Sequence, residues 1–244
     1  MARSFVCGLV CLVACSGEIA SQPELESDEI VGGSADHGHP AVVAIRIGGS
    51  ALCTGSLVAP DVVLTARHCV SETAENIQCD RPGVQVRGDR DPRTMLIYAG
   101  ESANGKAIAR GRALVVPGSH RLCGADAAAI VLDRNVTGIP PLRISSPPSP
   151  GAKVTAVGYG RQGPYGEAGW KMKRTIRILD VEKTELEVGE GTCPGDSGGP
   201  LLDSNGAIVG IVSRGRMPCD RSSTTNIYSR ADVHRDLVEK AVLE

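Results

Sequence analysis

The sequence predicts an all-β fold, a barrel or sandwich followed by one C-terminal helix, from three observations. Short apolar runs of strand length recur from Ile30 onward, separated by turn residues. Glycine makes up 30 of the 244 residues, and it favours tight turns over long helices. Many short strands with one late helix are typical of β-barrels and sandwiches. In the last segment, residues 231–243, apolar residues recur at helical spacing, which predicts one amphipathic helix. They are Val233, Leu237, Val238 and Val242.

Seven apolar runs are the clearest strand candidates. They cover residues 41–47, 62–65, 84–87, 95–98, 129–132, 154–157 and 207–212. A hairpin is predicted at Ser204-Asn205-Gly206, because asparagine and glycine tolerate positive φ and apolar residues flank them. A Pro- and Ser-rich stretch near residues 140–150 is typical of a linker, so we expect it to join two β halves.

Charge and hydropathy argue against two classes of protein. The 26 Lys and Arg residues nearly balance the 28 Asp and Glu residues, so a nucleic-acid-binding surface is not indicated. No apolar run approaches the roughly 18 residues that a membrane-spanning helix needs. A length of 244 residues suits one large domain or two small ones.

The first residues resemble an export signal. Arg3 gives a positive start and the apolar run 5–14 ends in small residues, so residues 1–14 are predicted to be a signal peptide. Leu12-Val13-Ala14-Cys15 resembles the bacterial lipoprotein signal, in which the cysteine is lipidated. The alternative is an ordinary signal peptide cleaved a residue or two later. Residues 15–29 are polar and acidic without periodicity, which predicts a propeptide or tether.

The cysteine content supports export to an oxidising compartment. Three of the nine cysteines, Cys7, Cys11 and Cys15, fall in the signal region. An even number in an exported domain predicts three disulfides, although six cysteines allow fifteen pairings. The six that remain are Cys53, Cys69, Cys79, Cys123, Cys193 and Cys219.

Three local patterns carry candidate chemistry. Thr65-Ala66-Arg67-His68-Cys69 places a histidine after an apolar strand, and Asp126 precedes the apolar run 127–132. Ser197 lies in the glycine-rich turn Cys193-Pro194-Gly195-Asp196-Ser197-Gly198-Gly199-Pro200. A serine becomes a nucleophile when a base takes its proton, and an imidazole oriented by a buried carboxylate is such a base. Glycines let backbone N–H groups approach a developing oxyanion.

With these motifs, the sequence from residue 30 to residue 244 resembles the chymotrypsin/trypsin-like serine endopeptidases. The resemblance implies a double barrel, two six-stranded Greek-key β-barrels with a C-terminal α-helix, whose junction lies near residues 140–150. It implies that His68 is the general base, that Asp126 orients it and that Ser197 attacks the substrate. The N–H groups of Gly195 and Ser197 would form the oxyanion hole, and Ser213 would hydrogen-bond the aspartate.

The resemblance also implies how the chain becomes active and what it meets. Ile30-Val31-Gly32-Gly33 resembles a mature N-terminus, so cleavage between Glu29 and Ile30 would free an α-ammonium that pairs with Asp196. The chain as written would then be a zymogen. No cofactor is implied. The expected partners are protein or peptide substrates, inhibitor proteins, and either an activating protease or the enzyme itself.

Two disulfides follow from the resemblance, Cys53–Cys69 beside the histidine and Cys193–Cys219 beside the serine. Their assignment leaves Cys79–Cys123 as the third pair. If all six cysteines pair in this way, no disulfide ties the propeptide to the remainder of the chain after cleavage. A lipid on Cys15 would then hold only the zymogen at the cell envelope, and activation would release the protease.

The resemblance places Gly191, Gly215 and Asn226 in the specificity pocket. Gly191 stands where trypsin-like members carry the aspartate that binds Arg or Lys, so a basic P1 residue is not expected. Arg214 replaces the family's usual aromatic residue. Arg214 and Arg216 either favour acidic substrates, in which case Glu29 allows self-activation, or are solvated surface residues.

Two other classes of protein share part of this sequence pattern. Residues 195–199 also fit the G-x-S-x-G motif of α/β-hydrolases, in which the histidine follows the serine. Only His234 follows Ser197, and it lies on the predicted terminal helix, so this class is not supported. A non-catalytic binding protein on the same fold stays open as an alternative. The histidines outside the motif are expected at the surface: His37, His39, His120 and His234.

Overall fold

A computed structural model describes residue 1 and residues 33–244, except for 75–76, 78, 81–82, 84, 190, 216–218 and 220–224. The predictions for the signal peptide, Cys15, the tether and Ile30 lie outside the described residues, and so does the prediction for Arg216.

Within the described chain, the strands follow one another in the order that the short apolar runs predict. They are β1 (Ser34–Ala35), β2 (Val42–Ile47), β3 (Ala51–Ala59), β4 (Val62–Thr65), β5 (Ser71–Thr73), β6 (Val86–Asp89), β7 (Met95–Tyr98), β8 (Ala109–Val115), β9 (Ala128–Leu132), β10 (Lys153–Gly158), β11 (Met172–Val181), β12 (Glu185–Val188), β13 (Pro200–Leu202), β14 (Ile208–Gly215) and β15 (Asn226–Arg230). Two α-helices accompany them, α1 (Arg67–Val70) and α2 (Arg235–Val242). Short 3₁₀ helices span Pro92–Thr94 and Asp232–His234.

The first six-stranded barrel closes in the order β2-β3-β4-β9-β8-β7, with antiparallel pairing throughout. Strands β4 and β9 are buried along their whole length, which fits their uninterrupted apolar sequences. The strand predicted at residues 84–87 corresponds to β6, which begins at Val86 and pairs with β5 outside the barrel. In β6, Val86 is buried, whereas the polar residues Arg87 and Asp89 and the glycine between them are exposed.

The second barrel contains β10 to β15, closed by the pairing of β11 with β12. Strand β1 adds to the outer edge of β11. The predicted hairpin at residues 204–206 joins β13 to β14, and Gly206 has φ +74° there. Residues 133–152 connect the two barrels. The predicted double barrel is therefore confirmed.

The terminal helix is shorter than the predicted segment 231–243 and presents a different face. Helix α2 packs against β8 and β9 of the first barrel and buries Leu237 and Ala241. Val233 and Val242 are 40% and 56% exposed, so their assignment to the apolar face was wrong. The residues before Arg235 form a 3₁₀ turn, which shifts Val233 away from the stripe that an unbroken α-helix would produce. None of the helices in the described residues is long and apolar enough to cross a membrane.

A buried charge cluster attaches β1 to the second barrel. Asp36 is fully buried, and its N–H donates to the carbonyl oxygen of Lys171 at 2.9 Å. Its carboxylate accepts from His39 Nδ1 at 2.8 Å and lies 3.6 Å from Lys173 Nζ. Burial raises the pKa of Asp36, but the hydrogen bond and charge of His39 outweigh it, and the pKa is lowered. His39 is therefore half-buried and bonded, which corrects its prediction as a surface residue.

Candidate active site

His68 lies on α1, directly after strand β4. The main-chain N–H of His68 donates to Asp126 Oδ1 at 3.0 Å, and the ring Nδ1 lies 2.8 Å from Asp126 Oδ2. An ionised carboxylate only accepts, so this contact places the imidazole proton on Nδ1. The other ring nitrogen, Nε2, is then the basic one.

Asp126 begins the segment that leads into β9 and is 1% exposed. Besides His68, it accepts a hydrogen bond from Ser213 Oγ at 2.7 Å. Burial raises the pKa of Asp126, but the charge of His68 and the hydrogen bonds from His68 and Ser213 outweigh it, so the pKa is lowered. Burial lowers the pKa of His68, and the attraction of Asp126 more than reverses this, so that pKa is raised.

Ser197 is fixed in place by its main chain. The N–H of Thr54 donates to the Ser197 carbonyl oxygen at 2.8 Å, and Cys69 Sγ lies 3.6 Å from the same oxygen. Cys69 follows His68 and is disulfide-bonded to Cys53. The serine loop of the second barrel is therefore attached to the histidine segment of the first barrel.

The glycines around Ser197 are required by their positions. Gly195 has φ +106° and Gly198 has φ +81°, conformations that other residues adopt rarely. A Cβ on residue 198 would collide with Thr65 Oγ1 and the main chain of Thr54. Within the described residues, the N–H groups of Gly195 and Ser197 have no hydrogen-bond acceptor. Both donors are thus available to an oxygen that carries developing negative charge.

Asp196 is buried beside the serine and differs in its surroundings from Asp126. Its carboxylate accepts from the N–H of Gly160 at 2.8 Å and of Cys193 at 2.9 Å. Burial raises its pKa to about 6, only partly offset by these backbone hydrogen bonds. No salt bridge joins Asp196 to any residue that the structure describes. Tyr228, whose buried hydroxyl has no hydrogen-bond partner there, has a raised pKa because of burial and of the Asp196 charge.

A cavity of about 230 Å³ opens beside Ser197, lined by residues 192–194, 197 and 212–215. The predicted pocket residue Gly215 lines it, whereas Gly191 and Asn226 are buried and do not line it. Asn226 Oδ1 accepts from Thr192 Oγ1 at 2.6 Å, and Asn226 Nδ2 donates to the Gly189 carbonyl oxygen at 3.0 Å. Asn226 therefore ties the two walls of the pocket together behind the cavity.

Arg214 is partly buried, with its side chain 32% exposed, and it forms an ion pair. Its Nη1 and Nη2 donate to the two carboxylate oxygens of Glu185 at 2.7 and 2.8 Å. Glu185 also accepts from the N–H of Gly124 at 2.8 Å. A second cavity, of about 200 Å³, lies between this ion pair and His68. Sequence reasoning missed Glu185, because its partner is far along the chain and no local motif marks the pair.

The three disulfides are those that the sequence predicts. They join Cys53 to Cys69, Cys79 to Cys123, and Cys193 to Cys219. Among the described residues, one cluster has metal-ligating side chains close together, His68 with Cys53 and Cys69. Because these sulfurs form a disulfide, they are not thiolate ligands.

The remaining histidines have separate surroundings. His37 forms an exposed pair with Glu101 at 2.6 Å, and His120 is exposed, as predicted. His234 is 8% exposed, so its prediction as a surface residue was wrong. Burial lowers its pKa, which favours a neutral ring at this position before helix α2.

The trypsin family model matches residues 30–238. The chain is 31% identical over 206 residues to the cercarial protease of Schistosoma mansoni, covering 72% of this chain and 76% of that protein. It is 26% identical to the venom plasminogen activator LV-PA of Lachesis muta muta, covering 84% and 83%. A solved structure of a Glu endopeptidase in complex with MPD has a TM-score of 0.67 at 21% identity, covering 87% of this chain and 97% of that one.

The chain belongs to the trypsin family, since the family model covers most of its length. Its class is that of the serine-type endopeptidases, which are hydrolases. The likeness to the Glu endopeptidase shows the fold.

Proposed function

We propose that the protein is an exported endopeptidase that hydrolyses peptide bonds through Ser197, His68 and Asp126. The observation that carries this proposal is the hydrogen-bonded chain from Ser213 Oγ through Asp126 to His68 Nδ1, at 2.7 and 2.8 Å. It fixes the imidazole tautomer and leaves Nε2 as the base. A buried carboxylate that stabilises an imidazolium in this way contributes to catalysis without itself taking the proton.

The proposed reaction uses each of these groups. His68 Nε2 takes the proton of Ser197 Oγ as the oxygen attacks the substrate carbonyl carbon. The carbonyl oxygen becomes an oxyanion that accepts from the N–H groups of Gly195 and Ser197. The imidazolium then gives its proton to the leaving amine, and an acyl-enzyme remains. Water attacks the acyl-enzyme in the same way and releases the second product, so no cofactor is needed.

The protein is made as a zymogen that is activated by cleavage before Ile30. The support is Asp196, a buried carboxylate with a pKa raised to about 6 and no described cation beside it. An α-ammonium is cationic at neutral pH, and it would compensate this charge. Asp36 lies six residues after Ile30, and its buried contacts attach this part of the chain to β11. The new N-terminus would be at the end of only six residues beyond this attachment, which shortens the distance over which it has to find Asp196.

The protein is exported, and a lipid on Cys15 anchors the zymogen. Cleavage before Ile30 then releases the catalytic part. Three disulfides fit an oxidising compartment. None of them involves a residue before Cys53, so cleavage before Ile30 separates the two parts. The alternative is an ordinary signal peptide that is cleaved without lipidation of Cys15. The protein would then be secreted directly. Radiolabelled palmitate on the full chain, absent after Cys15→Ala, tests this step.

The proposed activity is tested with a fluorophosphonate probe and intact-mass measurement of the cleaved enzyme. We expect one adduct, mapped to Ser197, and loss of labelling in His68→Ala. Surface His120→Ala is the matched control and keeps full labelling. A folded, disulfide-bonded enzyme beginning at Ile30 that takes no adduct would contradict the proposal and favour a non-catalytic binding protein on this fold.

A further inference from the structure

We propose that Arg67 is a positioning residue for His68, the residue that follows it on helix α1. Its buried guanidinium joins α1 to strand β6 and to residue 117, and its charge favours the form of the Asp126–His68 pair in which the imidazole is neutral. The inference rests on the proposed function, because it takes His68 as the general base. Arg67 lines neither of the two cavities beside the triad.

The Arg67 side chain has almost no access to solvent. It is 6% exposed, whereas the side chain of its partner Asp89 on β6 is 40% exposed. Burying a guanidinium is unfavourable unless hydrogen bonds and a counter-ion compensate it. Arg67 Nη2 lies 2.8 Å from Asp89 Oδ1, and Nη1 donates to the Pro117 carbonyl oxygen at 3.1 Å. The guanidinium is therefore held at both of its terminal nitrogens.

The Asp89 carboxylate is fixed next to α1 by the chain itself. Strand β5 begins directly after α1, and the pairing of β5 with β6 sets Asp89 opposite Ser71. Ser71 Oγ donates to Asp89 Oδ1 at 2.7 Å, the same oxygen that contacts Arg67. The N–H of Arg90 also donates to the Val70 carbonyl oxygen at 2.8 Å. Both ends of α1 are thus attached to β6 and the residue after it.

The bond to residue 117 reaches the connection that carries Asp126. Pro117 lies shortly after β8, on the part of the chain that leads to Asp126. Strand β6 holds this connection as well, since the N–H of Val86 donates to the His120 carbonyl oxygen at 2.9 Å. Arg67 therefore lies where β6, the segment of the general base and the segment of the orienting carboxylate meet. A change at this side chain should alter the relative position of the base and the carboxylate.

The charge of Arg67 acts on the same pair. Burial lowers the pKa of the guanidinium, and the charges of Asp89 and Asp126 act in the opposite direction. With a neutral imidazole, the Asp126–His68 pair carries one negative charge, and protonation of the imidazole cancels it. A nearby cation therefore favours the neutral imidazole, which is the form that takes the proton of Ser197. In this way Arg67 keeps the base available at lower pH.

Other charged groups of the described chain also interact with Asp126. The Glu185–Arg214 ion pair does so from the second barrel, and His234 does so from the turn before α2. The charges of Glu185 and Arg214 oppose each other, and burial lowers the pKa of His234. None of these groups changes when Arg67 is replaced, so a shift of the pH profile reports the Arg67 charge.

The test uses the purified enzyme after cleavage before Ile30, with its active sites counted by the fluorophosphonate probe. Arg67→Met keeps the length of the side chain but removes its charge and both hydrogen bonds. We expect kcat on a peptide thioester to fall by about tenfold to a hundredfold, with KM changed by less than about twofold, because the base is displaced and the cavities are not. The acid limb of kcat/KM should move to higher pH by at least about 0.5 pH unit.

Two further variants separate the hydrogen bonds from the charge. Arg67→Lys keeps the charge but loses the planar fork, so kcat should fall while the acid limb stays within about 0.2 pH unit of the wild type. Asp89→Asn keeps an acceptor for Arg67 but removes its counter-ion, so the acid limb should move to lower pH. These two variants test the inference by themselves if Arg67→Met fails to fold. Arg93→Met, which breaks the exposed pair with Asp91, is the matched control and should keep the wild-type kcat and pH profile.

The outcomes distinguish the role of Arg67 from the proposed function. Wild-type kcat in both Arg67 variants, with Ser197 labelled, overturns the positioning role and leaves the proposed function intact. An acid limb that moves in the same direction in Arg67→Met and Asp89→Asn, or in neither, overturns the action of the charge, because a purely structural ion pair would affect both variants alike. Absence of labelling and cleavage in the folded wild type overturns the proposed function, and the role of Arg67 with it.

Discussion

Asp126 and Asp196 are two buried carboxylates of one site, and their surroundings shift their pKa values in opposite directions. Asp126 faces an imidazole and a serine hydroxyl, and its pKa is lowered. Asp196 faces two backbone N–H groups, and burial raises its pKa to about 6. The difference shows that hydrogen bonds from neutral groups do not compensate a buried charge as well as a nearby cation does.

We call the groups around Asp126 and His68 the complete part of the site, because their hydrogen bonds are already formed. The groups around Asp196 are the incomplete part, because the buried carboxylate has no described counter-ion. The parts around His68 come from elements of both barrels, which the hydrogen bond from Ser213 to Asp126 already joins. The buried carboxylate of Asp196 has no described cation beside it, and we propose that the N-terminus of Ile30 supplies one.

Asp126→Asn should break the complete part. The amide keeps the size of the carboxylate but turns a donor or a neutral acceptor towards His68 Nδ1, so the imidazole loses its orientation and its charge stabilisation. We expect kcat to fall by about 10⁴-fold with the fold retained, measured on a peptide thioester after active-site counting. Asp203→Asn, in the β13–β14 turn, is the control. A loss below about tenfold would mean that Asp126 is not coupled to His68.

Asp196→Asn should break the incomplete part and affect activation more than folding. The uncleaved variant loses a buried charge that lacks a cation, and the cleaved variant cannot form the proposed ion pair. Cleavage before Ile30 increases the rate of fluorophosphonate labelling in the wild type. In Asp196→Asn we expect this increase to be less than about one hundredth as large. If the cleaved variant labels as fast as the wild type does, Asp196 is not the partner of the new N-terminus.

The pH dependence of stability should differ between the uncleaved and the cleaved protein. A carboxyl group whose folded pKa is raised stabilises the fold below its unfolded pKa, and this contribution is lost as the pH rises through the folded pKa. For Asp196, the rise in pKa from 3.8 to about 6 corresponds to at most about 3 kcal/mol, lost between about pH 4 and pH 6. Pairing after cleavage should remove this loss.

Urea unfolding of Ser197→Ala before and after cleavage, between pH 4 and pH 7, measures the difference in slope. The substitution prevents self-digestion, and other titrating groups contribute equally to both forms. Parallel stability curves for the two forms would contradict the proposed pairing.

Glu185→Ala should have the smallest effect, because it alters the border of the site. Arg214 would lose a partly buried partner, and we expect a melting temperature lower by about 2–4 °C. The unpaired guanidinium should also raise cleavage of substrates with an acidic residue beside P1, by about threefold to tenfold. Asp91→Ala, which breaks the exposed pair with Arg93, is the control and should change neither quantity.

The sequence predicted those parts of the site that lie in continuous motifs. The histidine pentapeptide and the serine octapeptide carry the resemblance that implies the roles of His68, Gly195 and Ser197. Asp126 needed the buried strand that follows it. The double barrel followed from the resemblance, since short strands alone do not distinguish a barrel from a sandwich.

Pairs between distant residues could not be predicted in the same way. Glu185 and Arg214, or Thr192 and Asn226, meet only because β12, β14 and β15 are neighbours in the second barrel. The faces of helix α2 were also misjudged, because the 3₁₀ turn before Arg235 changes the angular position of the residues ahead of it. Such features depend on tertiary packing, which a single sequence with no local motif does not reveal.

We propose that Ser197 reacts only after a cation has joined Asp196. Fluorophosphonate labelling of Ser197 measures this when the full chain is compared with the same chain cleaved before Ile30, at equal concentration and neutral pH. We expect labelling at least about a hundred times faster after cleavage, with Ile30 as the N-terminus found by mass spectrometry. Equally fast labelling of the full chain would show that Asp196 needs no new partner.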